Sequence, residues 1–353
     1  MNPETMRTVR DVRRHVALWR RDSLSVGMVP TMGALHEGHL ALIREAQSLT
    51  DRVIVTLFVN PSQFAPSEDL AAYPRTEDSD REKLAALGAD LLFAPAPAEI
   101  YPPGFATEIA VGGPAAGLES EFRPHFFVGV ATVVSKLLLI GLPDRAFFGE
   151  KDYQQLLVVK QLVRDLDIPT EIVGCATVRE PDGLARSSRN AYLSPDERSR
   201  AASLYRALQA AAEAVRAGAE WEPTIADARQ ALAASGFAVD YFEIRNAETL
   251  APASGSSREP LRLLAAARLG RTRLIDNIPI ERSSSMRRTI GELFSFRVSA
   301  TPSLEAGFGP EPIDEGNDPH ADEPCPPSGK LRPQDRLAYD PCQPKRQRHR
   351  GPP

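Results

Sequence analysis

Two histidines three residues apart mark the segment of the chain best suited to binding phosphate. They lie in the run Pro30-Thr31-Met32-Gly33-Ala34-Leu35-His36-Glu37-Gly38-His39, between a predicted strand and a predicted helix. Gly33 and Gly38 let backbone approach a ligand closely, and the start of a helix presents unpaired N–H groups with a partial positive charge. Because His36 and His39 face the same side of the helix, both can donate to phosphate oxygens. The pattern predicts a polyphosphate site; zinc binding is an alternative that the spacing of three weakens.

A lysine stands at the start of another predicted helix, in the run Phe147-Phe148-Gly149-Glu150-Lys151-Asp152-Tyr153-Gln154-Gln155. Asp152 and Gln155 have the spacing of a helix capping box, which would explain the aspartate structurally. Lys151 adds unfavourable positive charge beside the helix N-terminus, so we expect it to face an anionic partner. A nucleotide phosphate or an adenylate would serve.

Two further polar segments gain meaning only in combination with these motifs. Leu184-Ala185-Arg186-Ser187-Ser188-Arg189-Asn190 carries two hydroxyls and two guanidinium groups within four residues, which suits a mobile phosphate clamp. Asn60-Pro61-Ser62-Gln63-Phe64 follows a predicted strand and presents two amides that could orient a hydroxy acid. In isolation, each segment is better explained as an ordinary loop or turn.

The elements that would position these motifs alternate between strand and helix through the first half of the chain. Short runs rich in Val and Ile predict buried strands, and stretches with helical spacing lie between them. The predicted strands are residues 25–29, 52–59, 91–94, 145–148 and 170–175, and the predicted helices include residues 80–87, 129–140 and 152–166. This α/β alternation predicts a Rossmann-like parallel sheet with right-handed crossovers. Ligands of such folds bind at the carboxyl ends of the strands, where we expect the motifs to lie.

The chain beyond Asn190 has the pattern of a smaller α+β domain. Ser194-Pro195-Asp196-Glu197 is typical of a helix start, with a serine N-cap, a proline at the first helical position and acids near the positive end of the dipole. Predicted helices to about residue 216 and over residues 223–234 precede three predicted strands, residues 240–245, 261–267 and 272–278. We therefore predict a Rossmann-like domain over residues 1–186 and a lid domain over residues 187–281.

Residues 282–353 lack the composition of a folded domain. They contain 12 of the chain's 31 prolines and no apolar periodicity beyond Phe296. Such a segment cannot bury enough apolar surface to offset the entropy of ordering it. We predict a disordered, proline-rich tail.

Bulk composition excludes several classes of function. The net charge of −5 disfavours nucleic-acid binding, and three cysteines among 353 residues do not make a disulfide framework. The N-terminus has no apolar signal core, and the longest apolar runs, such as residues 53–59, are far shorter than the roughly 20 residues of a membrane span. We expect a cytoplasmic protein with no nucleic-acid or membrane partner.

In combination and in this order, the motifs resemble those of the pantothenate synthetase family. The matching segments are residues 29–39, 58–64, 73–76, 99–102, 148–152, 182–184, 187–190 and 273–277. The family belongs to the nucleotidyltransferases with a His-x-Gly-His signature, whose fold is a Rossmann-like domain followed by a smaller lid. The resemblance implies an ATP-dependent ligase that adenylates pantoate with release of pyrophosphate, then joins the acyl group to β-alanine with release of AMP.

The resemblance also implies a role for each motif residue. His36, His39 and Lys151 are the implied catalytic residues, with His39 as the proton donor. Gln63 and Gln155 are implied to hold pantoate, Gln63 also lies where β-alanine binds, and Asn60 belongs to the same substrate site. The implied ATP contacts are Met32, Gly33, Ala34, Leu35, His36, Glu37, Gly38, His39, Gly149, Glu150, Lys151, Asp152, the Val178 backbone, Arg186, Ser187, Ser188 and Arg189.

The implied partners are ATP, pantoate and β-alanine, and a second copy of the chain that forms a homodimer through the first domain. Mg²⁺ is expected to arrive with ATP, and no protein metal site or tightly bound cofactor is expected. Positive charge at the reacting phosphates is expected from Mg²⁺ and from histidine, lysine and arginine side chains.

Three features depart from the family pattern. In Arg123-Pro124-His125-Phe126-Phe127-Val128-Gly129-Val130 a histidine is displaced by one position and Val128 replaces an arginine, so only Arg123 is carried over and His125 is not. Arg186 stands where the family usually has methionine, and the chain continues beyond residue 280, where the family normally ends. Two rival functions stay open: another nucleotidyltransferase of the same fold, and a nucleotide-binding protein without catalysis.

Overall fold

A six-stranded parallel sheet forms the larger part of the structure. The computed structural model describes residues 3–64, 76–255, 257 and 259–281; the predicted tail, residues 282–353, and the matched residues 73–75 lie outside the described residues. The strands are β1 (Glu4–Met6), β2 (Val26–Thr31), β3 (Arg52–Leu57), β4 (Leu91–Phe93), β5 (Arg145–Gly149) and β6 (Glu171–Cys175), in the order β1-β4-β3-β2-β5-β6. Every pairing in this sheet is parallel, which confirms the predicted fold class.

Helices cover both faces of this sheet. Neighbouring side chains of a strand point to opposite faces, so each strand contributes apolar side chains to two cores. Met28, Ile54 and Phe148 belong to one apolar core, whereas Val29, Val55 and Phe147 belong to a second core on the other face. The helices of this part are α1 (Val9–Arg21), α2 (Glu37–Leu49), α3 (Glu77–Leu87), α4 (Pro97–Ile100), α5 (Glu119–Phe122), α6 (Phe126–Gly141) and α7 (Tyr153–Asp165). Among the described residues, no helix is long and apolar enough to cross a membrane.

The strand order reverses beside β2. The chain passes from β2 to β3 and β4 on one side of the sheet, and later from β5 to β6 on the other side. In open α/β sheets a crevice forms at such a reversal, outside the carboxyl ends of the strands. β2 ends at Thr31 and β5 ends at Gly149, immediately beside the two predicted phosphate motifs. The fold therefore places these motifs on the two sides of one crevice.

A smaller antiparallel sheet follows. It contains β7 (Phe237–Asn246), β8 (Leu261–Leu269) and β9 (Thr272–Ile280) in that order, and is preceded by α8 (Pro195–Ala201), α9 (Ser203–Arg216) and α10 (Trp221–Ala234). Ser194 is the N-cap of α8, as the sequence predicted, and Glu197 completes a reciprocal capping box with it. The single helix predicted to residue 216 is wrong, because the chain forms two helices that meet at Ala202. The described residues belong to one compact unit, and the domain boundary at residues 186 and 187 stays a prediction.

The first strand and the first helix were not predicted. β1 is only three residues long and lies at the edge of the sheet. α1 buries Val12, Val16 and Trp19, whose spacing is helical, but charged residues dominate the segment. Strand β1 is too short for a periodicity to be visible, whereas the signal for α1 is present in the sequence.

Gly129 lies where α6 touches the 3-10 helix Pro61–Gln63. A Cβ at position 129 would stand 2.5 Å from the carbonyl oxygen of Ser62, so the two backbones would have to separate. Helix propensity alone would favour alanine here by about 1 kcal/mol. We expect Gly129→Ala instead to lower stability by roughly 1–3 kcal/mol, as overpacking does. Gly112→Ala is the control, since its Cβ would meet no atom within 4 Å; equal melting temperatures for the two variants would contradict the close approach.

Candidate active site

A cleft of about 590 Å³ lies over the carboxyl ends of the strands and has walls from both sheets. Its volume falls within the range of small-molecule sites, roughly 300–1,000 Å³. The predicted site residues that line it are Met32, His39, Asn60, Gln63, Lys151, Asp152, Gln155, Ser187 and Arg189. The other predicted ATP contacts are not on the lining; they are Gly33, Ala34, Leu35, His36, Glu37, Gly38, Gly149, Glu150, Arg186 and Ser188, which lie in the same segments, and Val178, which lies outside them. Each of the four motifs thus contributes to one cleft.

The two histidines cap the helix that they begin. Nδ1 of His36 accepts a hydrogen bond from the backbone N–H of Gly38 (3.1 Å), and Nδ1 of His39 accepts one from the backbone N–H of His36 (3.3 Å). A neutral imidazole that accepts at Nδ1 carries its proton on Nε2. With ring centroids 4.1 Å apart, the pair therefore offers two Nε2–H donors.

Both imidazoles are uncharged at neutral pH. Burial, reinforced by the positive charge of Lys151, lowers the pKa of His36 to about 4. Burial, reinforced by His36 and Lys151, lowers the pKa of His39 to about 3. The expectation that the histidines supply positive charge is therefore wrong, because burial disfavours the charged imidazolium. They act there as neutral hydrogen-bond donors.

A buried carboxylate that the sequence did not identify fixes the loop before these histidines. Asp80, on α3, is fully buried and accepts hydrogen bonds from the backbone N–H groups of Ala34 (2.9 Å) and Leu35 (2.8 Å). Gly33 (φ +87°) and Ala34 (φ +50°) have left-handed backbone conformations, which alanine rarely adopts without such support. Nothing in the sequence distinguishes Asp80 from other acids in the first turn of a helix.

Lys151 faces an anion, but the anion is its neighbour. Its Nζ donates to the carboxylate of Asp152 at 2.9 Å. Burial would raise the pKa of Asp152, but the charge and hydrogen bond of Lys151 hold it below its ordinary value. The predicted capping box is wrong, because the Asp152 side chain makes no capping hydrogen bond. Gln155 lines the cleft, and its side-chain amide has no hydrogen-bond partner among the described residues.

The turn that carries Gln63 is held by Asn60. Asn60 is 1% exposed, and its amide nitrogen donates to Oε1 of Gln63 (3.1 Å) and to the carbonyl oxygen of Gly129 (3.1 Å). Its oxygen accepts from Ser62 and from the hydroxyl of Tyr101. Because both amide hydrogens are used within the protein, the geometry favours a positioning role for Asn60 over the predicted substrate contact.

Arg123, to which the sequence assigned no specific role, supports the same turn. Its guanidinium donates to the carbonyl oxygen of Gln63 at 3.2 Å and lies 3.8 Å from the ring centroid of Phe126. Arg123 lines the cleft, whereas His125 is exposed and does not. The displaced His125 therefore does not line the cleft, whereas the next residue, Phe126, does.

The polar loop of residues 184–190 lies beside the histidine motif. The backbone N–H of Arg186 donates to the carbonyl oxygen of Val178 (2.9 Å), and the Arg186 guanidinium pairs with Glu180 at 3.0 Å. The charge of Arg186 contributes to the lowered pKa of His36, after burial and Lys151. This arginine is therefore near the phosphate motif, although Glu180 neutralises it.

Comparison with known proteins identifies the family. A family model described as pantoate-beta-alanine ligase matches residues 4–279. The chain belongs to this family. A pantothenate synthetase of Chelativorans sp. is 58% identical over 281 residues, which are 79% of this chain and 99% of that protein. A pantothenate synthetase of Cereibacter sphaeroides is 56% identical over 279 residues, 79% of this chain and 100% of the relative.

Solved structures of the family agree with the architecture of this ligase. A pantothenate synthetase from Thermus thermophilus matches with a TM-score of 0.73 and 48% identity over 78% of this chain and 99% of that chain. A pantoate-beta-alanine ligase from Francisella tularensis, complexed with beta-gamma ATP and beta-alanine, matches with a TM-score of 0.65 and 34% identity over 80% and 100% of the two chains.

The neutral histidines give a prediction about pH. Since His36 and His39 have ordinary pKa values of 6.5 that folding lowers, their contribution to stability is complete above pH 6.5 and is lost as the pH falls towards 4. We expect the melting temperature to fall between pH 7 and 5, and to fall less in a variant with both residues changed to Gln. Imidazole ¹⁵N NMR should find both as Nε2–H tautomers that do not titrate between pH 8 and 5. Titration of either near pH 6.5 would contradict the assignment.

Asp80→Asn tests the support of the loop. Asparagine keeps one of the two acceptor oxygens, so one backbone N–H of Ala34 or Leu35 loses its partner, at a cost of roughly 1–3 kcal/mol. We expect faster amide hydrogen exchange at these two positions together with lower stability. Asp78→Asn is the matched control, because the Asp78 side chain is fully exposed on the same helix turn. Unchanged exchange at Ala34 and Leu35 would count against Asp80 as the anchor.

Proposed function

We propose that this cleft binds ATP, pantoate and β-alanine and catalyses both halves of pantothenate formation. The chain is an ATP-dependent ligase of the pantoate-β-alanine ligase family, and the complex of the Francisella tularensis relative supports the binding of ATP and β-alanine here. The observation that carries the assignment of residues is that His39, Gln63 and Lys151, which follow three different strands, line one cleft.

The first half-reaction activates the carboxylate. An oxygen of pantoate attacks the α-phosphorus of ATP, an O–P bond forms, and the bond to pyrophosphate breaks. Positioning and charge neutralisation provide most of the catalysis in such a transfer. Lys151 and Arg189 supply positive charge, the Nε2–H groups of His36 and His39 donate to phosphate oxygens, and Mg²⁺ arrives as part of the ATP substrate.

The second half-reaction forms the amide. The amine nitrogen of β-alanine attacks the acyl carbon of pantoyl adenylate, a C–N bond forms, the nitrogen loses a proton, and AMP leaves with the electrons of the broken C–O bond. No protein nucleophile is needed. Since amides bind hydroxyls and carboxylates without adding charge, Gln155 and the cleft-facing side of Gln63 are suited to hold pantoate.

The wall of the cleft formed by α6 supports pantoate as the hydroxy acid. Phe127, Val130 and Val134 are buried and line the cleft. Pantoate carries two methyl groups on the carbon between its hydroxyl-bearing carbons, and such an apolar wall would bury them. A hydroxy acid that lacks the methyl groups would lose roughly 0.8 kcal/mol for each buried carbon.

We also infer a homodimer and a cytoplasmic location. Leu18, Leu139 and Leu142 are 49%, 51% and 51% exposed on α1 and at the end of α6, which pack together in the first domain. Contiguous exposed apolar patches mark interfaces between proteins, and the position of these leucines on adjoining helices supports the inference. The low cysteine content supports a reducing compartment.

One assay separates the ligase from its rivals. We expect ATP and pantoate together to release pyrophosphate, and AMP to appear in step with an amide product when β-alanine is added. A different nucleotidyltransferase would form a stable nucleotidyl product without an amide, and a non-catalytic binder would release nothing. The absence of pantoate-dependent pyrophosphate release would refute the proposal.

His39→Ala should slow mainly the adenylation step. One preorganised donor of this kind contributes roughly 2.7–4 kcal/mol, or about 10²–10³ in rate. Single-turnover release of pyrophosphate measures this loss directly. His125→Ala is the control, since His125 is exposed and outside the cleft lining. Equal rates for the two variants would remove His39 from the mechanism.

A further inference from the structure

The segment Asp276–Asn277 of β9 matches the family motif, yet it has no role in the steps above. Asn277 is 3% exposed. Its amide nitrogen donates to the carbonyl oxygens of both Glu150 and Lys151, each at 2.9 Å. Its amide oxygen accepts from Nε of Arg262 at 2.7 Å. One side chain of the smaller sheet thus binds two consecutive peptide groups of the loop that carries Lys151, residues 149–152, which we call the lysine loop.

Arg262 holds the same loop through side chains. Its guanidinium donates to the carboxylate of Glu150 at 3.0 Å and lies 3.9 Å from the ring centroid of Tyr153. The carboxylate of Glu150, predicted to contact ATP, is therefore engaged with Arg262. Asn277, Arg262 and Glu150 form a closed set of hydrogen bonds behind Lys151.

Asp276, the neighbour of Asn277, binds a second segment that contains a predicted ATP contact, Val178. Asp276 is 3% exposed and accepts two hydrogen bonds from Arg179, at 2.6 and 3.0 Å. Arg179 directly follows Val178, whose backbone carbonyl binds the polar loop. Asp276 also accepts from the backbone N–H of Asn277 at 2.7 Å, which fixes the two side chains relative to each other.

The lysine loop has little support of its own. A Cβ at Gly149 would meet no atom within 4 Å, so no side chain packs over the start of the loop beyond the pairing of the Gly149 backbone with β6. The helix that follows lacks a side-chain cap at Asp152. Within the described residues, the Lys151 ammonium is hydrogen-bonded only to Asp152, which moves with it. The backbone position of Lys151 therefore depends on groups outside the loop.

We propose that Asn277 is a positioning residue for Lys151: its two donated hydrogen bonds fix the peptide groups from which the lysine reaches the phosphates. The inference rests on the proposed role of Lys151 in adenylation. A displacement of about 1 Å at a positioned group can cost as much as 10²-fold in rate. Loss of the Asn277 side chain should therefore lower the rate of adenylation, and this loss should depend on the presence of Lys151.

A double-mutant cycle in the full chain tests this. Single-turnover pyrophosphate release from ATP and pantoate is measured for wild type, Asn277→Ala, Lys151→Ala and the double variant. We expect Asn277→Ala to slow release by about 10- to 100-fold, and to cause no further loss when Lys151 is already alanine. Losses that multiply, or an unchanged rate for Asn277→Ala, would overturn the inference. An unchanged rate for Lys151→Ala would instead refute the proposed role of the lysine, and the inference with it.

Two further variants separate positioning from folding. Ser194→Ala removes the N-cap of α8, on the side of the chain that also carries β9, and the Ser194 side chain caps only that helix. It should therefore lower stability by about 1 kcal/mol without changing the rate of pyrophosphate release. If Asn277→Ala does not fold, Asn277→Asp takes its place, because it keeps the acceptor for Arg262 and loses both donors. The same dependence on Lys151 is expected for it, and multiplicative losses would again contradict the proposal.

Discussion

Parallel strands end at the same edge of their sheet, and the site of this ligase depends on that constraint. β2, β3 and β5 deliver His39, Gln63 and Lys151 to one crevice, although these residues are far apart in sequence. The reversal of strand order beside β2 leaves room for a ligand between the loops. A sheet of the same strands in antiparallel order would scatter the three side chains between two edges.

Each loop at that edge is held by a polar side chain that binds backbone groups. Asp80 accepts from the loop before the histidines, Asn60 donates to Gly129 behind the turn of Gln63, and Asn277 donates to the lysine loop. These side chains are nearly or completely buried. Buried polar groups are costly when unpaired, so these contacts specify one loop conformation strongly. The side chains of His39, Gln63 and Lys151, which the anchored loops carry, line the cleft.

The sequence predicted the strands and motifs because both are local signals. Five predicted strands of the first sheet are confirmed within two residues at each end, since apolar runs between turns depend only on neighbours. The anchoring contacts of Asp80 and Asn277 could not be predicted, because their partners are brought close only by the fold. The predicted cap at Asp152 failed for a different reason: spacing cannot distinguish a capping carboxylate from one paired with the preceding lysine. The site roles themselves stay proposals.

The uncharged state of the histidine pair has a consequence for ionic strength. Dissolved salt screens attractions between separated charges, with a Debye length of about 8 Å at physiological strength. The interaction of a phosphate with Lys151 or Arg189 is therefore weakened as salt is added. In the proposed mechanism, the Nε2–H groups of His36 and His39 act through short hydrogen bonds between dipole and anion, which salt screens less than it screens attractions between separated charges. Under that proposal, a concentrated electrolyte would shift recognition of the nucleotide from the charged side chains Lys151 and Arg189 towards the two neutral imidazoles.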